Sequence, residues 1–297
     1  MKRWAERAGE RGWWVLPALV GLAALFFNRL AFSNLILARG DTFLYFYPYW
    51  SVASAALRAG RVPLWNPDIF MGAPFLANSQ TGFFYPLNWP LWLLFRAPYA
   101  VSATIGLHVV IAGAGAYLAG RRTLALGRAA ALLVAALFAL GGYLTAQVEH
   151  VNQLQGLAWL PWLFVAVAGL KREETADFAD SADYKREQSA QSAKSAVSFP
   201  LGPVLAVGGL LALQVLAGHT QTAFISGMAV GVWVLADPRG LRRPLRSRPL
   251  RSRPLRSTWI ILVLAGGAAL AAVLALSLIH ISEPTRRTPI SYAVFCL

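Results

Sequence analysis

A single cysteine, Cys296, stands in the whole sequence, which excludes an intrachain disulfide framework and any cysteine-built metal site. Acidic residues are nearly as scarce: Asp and Glu number 13, and charged residues of both signs make up 13% of the chain. Soluble domains carry roughly 25% charged residues, so half that value leaves too little polar surface to cover a water-facing globule. Zinc-ligand spacing, RNP-like segments and basic helices interleaved with stacking aromatics are missing too, so the net charge of +14 is not the footprint of a nucleic-acid partner. What fills the sequence is apolar: 57% of residues are hydrophobic and the mean hydropathy is +0.51. The composition predicts an all-α, polytopic integral membrane protein whose first partner is the lipid bilayer.

The end of the chain is set aside before folding is considered. Leu276 to Arg286, LSLIHISEPTR, and Ile290 to Leu297, ISYAVFCL, look like the translated ends of a sequencing adapter, with Arg287 to Pro289 spanning its index. Such scars are excluded from fold reasoning, and with them His280, Glu283, Arg286, Arg287 and Cys296. The expectation is a truncated multi-span domain over residues 1–275, an adapter-derived artefact over 276–297, and a natural chain that continues past Ala275.

Because a helix rises about 1.5 Å per residue, roughly 20 apolar residues cross the hydrocarbon. Seven stretches approach this: Trp13 to Phe27, Ala100 to Ala119, Ala129 to Gln147, Val151 to Leu170, Phe199 to Ala217, Thr222 to Ala236, and one from Trp259 to the adapter junction. The first and sixth are short. Gly113, Gly115 and Gly120 in the second are expected to serve close helix packing. Twenty Lys and Arg flank the spans on one side, in the N-terminus and three loops, against Arg29, Arg39, Arg58, Arg61 and Arg96 on the other. The positive-inside rule therefore places the N-terminus in the cytoplasm. Two loops on the basic side, Lys171 to Ser198 and the PLRSR repeat from Pro244 to Ser257, read as linkers of low complexity.

The large first exoplasmic loop, about residues 31–98, holds fourteen aromatics between Phe43 and Trp92. Tyr and Trp favour the headgroup level, which predicts an amphipathic layer on the membrane, with a short helix from Phe46 to Ala59 and turns at Pro48, Pro63, Asn66-Pro67, Gly72 and Pro86. A groove for a lipid-linked or sugar substrate is the competing expectation. Asp68 reads as a turn residue, and mid-span His108 as a neutral histidine bonded to a neighbouring helix.

Asp41, in Arg39-Gly40-Asp41-Thr42, stands just beyond the first span and either caps the following helix or carries chemistry. The strings RGDTFLYFYPYW and GRVPLWNPDIFMGAPFLANSQTGFFYPLNWP resemble the first-loop pattern of the bacterial YfhO-like membrane proteins, which are GT-C type membrane glycosyltransferases. EHVNQLQGLAWLPW (Glu149 to Trp162) and LAGHTQ (Leu216 to Gln221) are similar to later segments of that family. The resemblance covers most of residues 12–236. It implies a GT-C-like helical bundle in the bacterial plasma membrane. It also implies transfer of a sugar from a polyprenyl-phosphate donor to a cell-envelope glycan or polymer acceptor on the outer face.

Such a reaction inverts the anomeric carbon: a carboxylate deprotonates the acceptor or binds a metal that does so, and the leaving phosphate needs donors or positive charge. Asp41 is the expected catalytic residue, and a divalent metal beside it is the only cofactor the resemblance suggests. Arg39, Asn78, Gln80, Glu149, His150, His219 and Gln221 are the expected substrate-binding set, all on the outer side. Arg39 reads more readily as an interface anchor, and each histidine taken alone as a packing residue. Two other functions stay open. One is a transporter or flippase for lipid-linked glycans, against which the lack of ionisable midplane residues apart from His108 counts. The other is a non-catalytic envelope assembly factor that docks partners on the loop.

Overall fold

The computed structural model describes residues 14–169, save 34, 38 and 70, and residues 201–236. The basic N-terminus, both low-complexity loops, the seventh apolar stretch and the adapter-like tail lie outside the described residues.

The described chain is helical apart from one two-residue hairpin. Helix α1 (Val15–Phe26) is followed by the short α2 (Asn28–Phe32), and a π-helical turn over Thr42–Phe46 leads into α3 (Tyr47–Arg58). Strands β1 (Trp65–Asn66) and β2 (Ala73–Pro74) pair antiparallel, Trp65 opposite Pro74 and Asn66 opposite Ala73. Then come α4 (Asn88–Leu94), α5 (Ala97–Arg122), α6 (Arg128–Ala139), α7 (Gly142–Ala146), α8 (Val151–Leu157), α9 (Leu201–Leu216) and α10 (Thr220–Ala236).

Three helical stretches are long and apolar enough to cross a membrane: Ala97–Arg122, Arg128–Glu149 and Val151–Gly169. They match the second, third and fourth stretches expected from sequence. The first, fifth and sixth also form apolar helices, but shorter ones. The third stretch is interrupted, since α6 ends at Ala139 and α7 starts only at Gly142. Apolar side chains face outward on several helices: Leu133 and Leu137 on α6, and Phe224, Met228 and Val232, spaced four apart, on α10. A water-facing helix would place polar residues at such positions.

Helix α5 is the hub, touching α1, α3, α4, α6 and α8. Its small residues are where neighbours come closest. A Cβ at Gly113 would lie 3.1 Å from Leu19 of α1, and one at Gly120 would lie 3.2 Å from the Ala131 Cβ of α6. At Gly115 a Cβ would run into the Trp162 indole, whose Nε1 donates to the Ile111 carbonyl at 3.0 Å.

The aromatic segment does not form the surface layer expected of it. Trp50, Phe75 and Trp92 are fully buried, in one core with Ala100, Val101 and Ile105 of α5 and Val151 and Leu154 of α8, and Tyr85 is fully buried as well. Trp50 meets Trp92 edge-on at 5.4 Å between centroids, and Trp92 stacks on Phe83 at 5.9 Å. Two hydrogen bonds tie the segment to itself: Trp50 Nε1 donates to the Thr81 carbonyl and Ser54 Oγ to the Trp92 carbonyl. Burying a large aromatic is worth several kcal/mol, which exceeds what a headgroup contact supplies once a partner face is available. Phe43, Trp65 and Trp89 do remain exposed.

Pro48 is not a turn. It sits in the first turn of α3, where a missing N–H costs nothing. The Asn66-Pro67 turn forms as expected, with Asn66 Oδ1 accepting from Asp68 N at 3.0 Å. Gly72 closes the hairpin at φ 117°, a conformation that L side chains avoid, and a Cβ there would strike the Trp65 indole.

His108 also corrects its expectation, because its partner is the aromatic segment and not a neighbouring span. His108 Nδ1 donates to the Thr104 carbonyl at 2.8 Å, which leaves Nε2 to accept from the Tyr85 hydroxyl at 2.7 Å. That hydroxyl in turn accepts from Trp159 Nε1 at 2.8 Å. A second buried link joins Gln155 Nε2 to Asn88 Oδ1 at 2.6 Å, while Asn88 Nδ2 donates to the Gly82 carbonyl at 3.0 Å.

Candidate functional site

Two short segments far apart in sequence meet just ahead of α3. Arg39, Gly40 and Asp41 lie against Glu149 and His150, which form the junction between α7 and α8. Arg39 Nε donates to Glu149 Oε1 at 2.5 Å, and His150 Nε2 stands 3.5 Å from Asp41 Oδ2. Gly40, at φ 49°, lets the backbone settle directly on Glu149, since a Cβ there would overlap Oε2. Asp41 makes no side-chain cap on the following turn. The capping alternative is therefore not what the carboxylate does. Instead Thr42 bonds the Arg39 carbonyl, and Asp41 stands at the mouth of a π-helical turn, a geometry common at functional sites.

A third segment joins from the connection between α9 and α10. His219 Nδ1 bonds Thr222 Oγ1 at 2.8 Å, and His219 lies close enough to His150 for their charges to interact. Burial holds the His219 pKa below its usual value, and the neighbouring His150 lowers it further. Gly218, at φ 93°, presses onto the backbone of Ser79 and Gln80, where a Cβ would collide with the Ser79 carbonyl.

The fourth segment, Asn78 to Gly82, is thereby fixed beside the histidine loop. Asn78 Oδ1 accepts from Gln80 N at 3.3 Å and caps the 3-10 turn Ser79–Thr81, leaving the Gln80 side chain exposed. The nearby Tyr45 hydroxyl is buried, and its pKa is raised chiefly by that burial, then by Tyr49.

All eight expected site residues thus fall on these four segments, of which 39–41 meets 149–150 and Gly218 meets Ser79 and Gln80. Arg39 is engaged by Glu149 through Nε, with its side chain 79% exposed. Glu149 is spent on that pair. Asp41 and His150 are both about half exposed and face each other, so both are open to a ligand. Gln221 is exposed and, with His219, lines a cleft of about 490 Å³ between α6, α8 and α10. The walls of this cleft are apolar, among them Leu137, Phe138, Leu157, Leu160 and Ile225, and Gln153 joins the two expected residues as a polar contributor.

A resident metal does not fit these residues. Among the described residues no three His, Cys, Asp or Glu side chains are grouped to hold one. Of the two nearby carboxylates, Glu149 is neutralised by Arg39 and Asp41 faces a histidine.

The positions that sequence reasoning missed are glycines and amides. Gly40 and Gly218 permit the two close approaches, and Asn88 with Gln155 ties the 78–82 turn to α8. Gly40 was visible inside the RGD string and Gly218 inside LAGHTQ, but nothing in either string specifies what the glycine must approach. No family model, no curated protein and no solved structure matches the chain.

Proposed function

We propose that this protein is a polytopic glycosyltransferase of the GT-C type in the bacterial plasma membrane. Its N-terminus would be cytoplasmic, and it would transfer a sugar from a polyprenyl-phosphate donor to an envelope acceptor on the outer face. The observation that carries the reading is the meeting of Asp41 with His150, next to His219 and an apolar-walled cleft. The sequence resemblance supplies the reaction class.

In the step proposed, the acceptor hydroxyl gives its proton to Asp41 while its oxygen attacks the anomeric carbon. The bond from that carbon to the phosphate oxygen breaks, and polyprenyl phosphate leaves with both bonding electrons. Configuration inverts. Phosphate departs without a general acid, so one carboxylate suffices. His150 holds Asp41 toward the acceptor and stabilises its charge, and the apolar cleft suits the lipid chain of the donor.

The test supplies membranes containing the protein with a panel of radiolabelled polyprenyl-phosphate hexoses and follows label into envelope polymer. Asp41→Asn is expected to lower transfer by about 10²- to 10⁴-fold. Transfer at the wild-type rate would reject Asp41 as the base.

A further inference from the structure

We propose that Glu149 is the positioning residue that sets Asp41 against His150. This rests on the functional reading above for its consequence, though not for its geometry. Among its described residues, the segment bearing Asp41 between α2 and the π-helical turn meets the rest of the molecule through Leu37, packed on the aromatic core, and through Glu149. Tyr47 holds the Leu37 carbonyl at 2.7 Å, but Tyr47 belongs to the helix that the segment itself feeds. Across the sequence, Glu149 makes two contacts with this strap. Its Oε1 accepts from Arg39, and its Oε2 lies under the Gly40 backbone where any larger residue would collide.

The two contacts flank the residue they control. Residues 39 and 41 pair with residues 149 and 150 in matching order, so the strap lies in register along the α7–α8 junction. The Asp41–His150 separation of 3.5 Å is at the long end for direct interaction, and both side chains are partly in water. Such a pair does not hold itself in place. The Glu149 carboxylate is the better-protected anchor, 23% exposed against 79% for Arg39. It can therefore fix the strap without being consumed by the chemistry.

Positioning and simple structural support predict different results. Because the pair is largely at the surface, Glu149→Ala shifts the melting temperature by less than about 4 °C. A loss of alignment of about 1 Å at Asp41 nevertheless lowers kcat about 10- to 100-fold, with KM little changed. Gly40→Ala reaches the same state by steric displacement. The charge swap Arg39→Glu with Glu149→Arg restores much of the rate that either single change removes.

A second readout needs no transfer. In a Cys296→Ser background, Asp41→Cys places the only thiol on the strap, and its labelling by a membrane-impermeant maleimide reports the position of the strap. Adding Glu149→Ala is expected to speed that labelling severalfold. Faster labelling supports the clasp even if Asp41→Asn proves fully active, which would reject the transfer reading alone. An unchanged labelling rate overturns the proposal, as does a charge swap no better than its single changes.

Discussion

Replacing Tyr85 with Phe removes one oxygen atom from a closed hydrogen-bond chain and nothing else. In the folded protein that hydroxyl donates to His108 Nε2 and accepts from Trp159 Nε1, and His108 is fully buried with its other nitrogen held by Thr104. The histidine cannot escape by changing tautomer. Moving its proton to Nε2 would free the Thr104 carbonyl and point a donor at a phenyl ring.

Two groups are therefore left without partners, one inside the core and one part-buried. An orphaned buried polar group costs about 1–3 kcal/mol, and the part-buried indole sits at the low end, so the expected loss is about 2–4 kcal/mol. The assay is reversible unfolding in mixed micelles, followed by near-UV dichroism, for wild type, Tyr85→Phe, His108→Leu and the double variant. The double variant should lose less than the sum of the single changes, because Phe beside Leu leaves only Trp159 unsatisfied. A loss below about 0.5 kcal/mol for Tyr85→Phe, or strict additivity in the cycle, would refute the reasoning that the chain is closed and dry.

Two further expectations join those already set out for Asp41 and Glu149. Gly218→Ala must leave a left-handed backbone and clear the Ser79 carbonyl, so it should cost more than about 1 kcal/mol and displace His219, which thermal unfolding and transfer assays read together. His219 has a lowered pKa in the folded state, so the unfolded chain binds its proton more readily. Its contribution is thus fully present above the ordinary histidine value of about 6.5 and declines as pH falls through that value toward the folded one. Between pH 8 and 5 the wild type should lose stability that His219→Gln keeps, and parallel curves for the two would contradict the assignment.

The helices were legible in the sequence because an apolar run of span length leaves few other solutions. Six of the seven expected stretches coincide with helices, and the seventh lies outside the described residues. The fate of the aromatic loop was not legible. A headgroup belt and a packed core draw on the same Tyr, Trp and Phe, and only the faces presented by α5 and α8 decide between them. Trp50 lies about 40 residues from Trp92, and Tyr85 lies 74 residues from Trp159. No local periodicity encodes such pairings.

The site followed the same rule. Asp41, His150 and His219 stood out as polar residues at the outer ends of apolar runs. The pairing of Arg39 with Glu149, and of Asn88 with Gln155, depends on a register that only the folded chain supplies. The WNP and GAP strings proved to be a hairpin held by Trp65 over Gly72. They shape the segment and do not themselves present reactive groups.

The polar link from Tyr85 to Trp159 also sets an order of assembly on the ribosome. The segment before α5 is made first, carrying the Trp50, Trp92 and Phe75 side chains that end in the core, while the residues that close over it are still being made. At roughly 5–20 residues per second, the 74 residues between Tyr85 and Trp159 take about 4–15 s to synthesise. During that interval Tyr85 and Asn88 await Trp159 and Gln155, and the aromatic cluster lacks its α8 wall. A nascent chain stalled short of α8 therefore displays a sticky aromatic surface, and the arrival of the Glu149 to Trp159 stretch is the event that seals it.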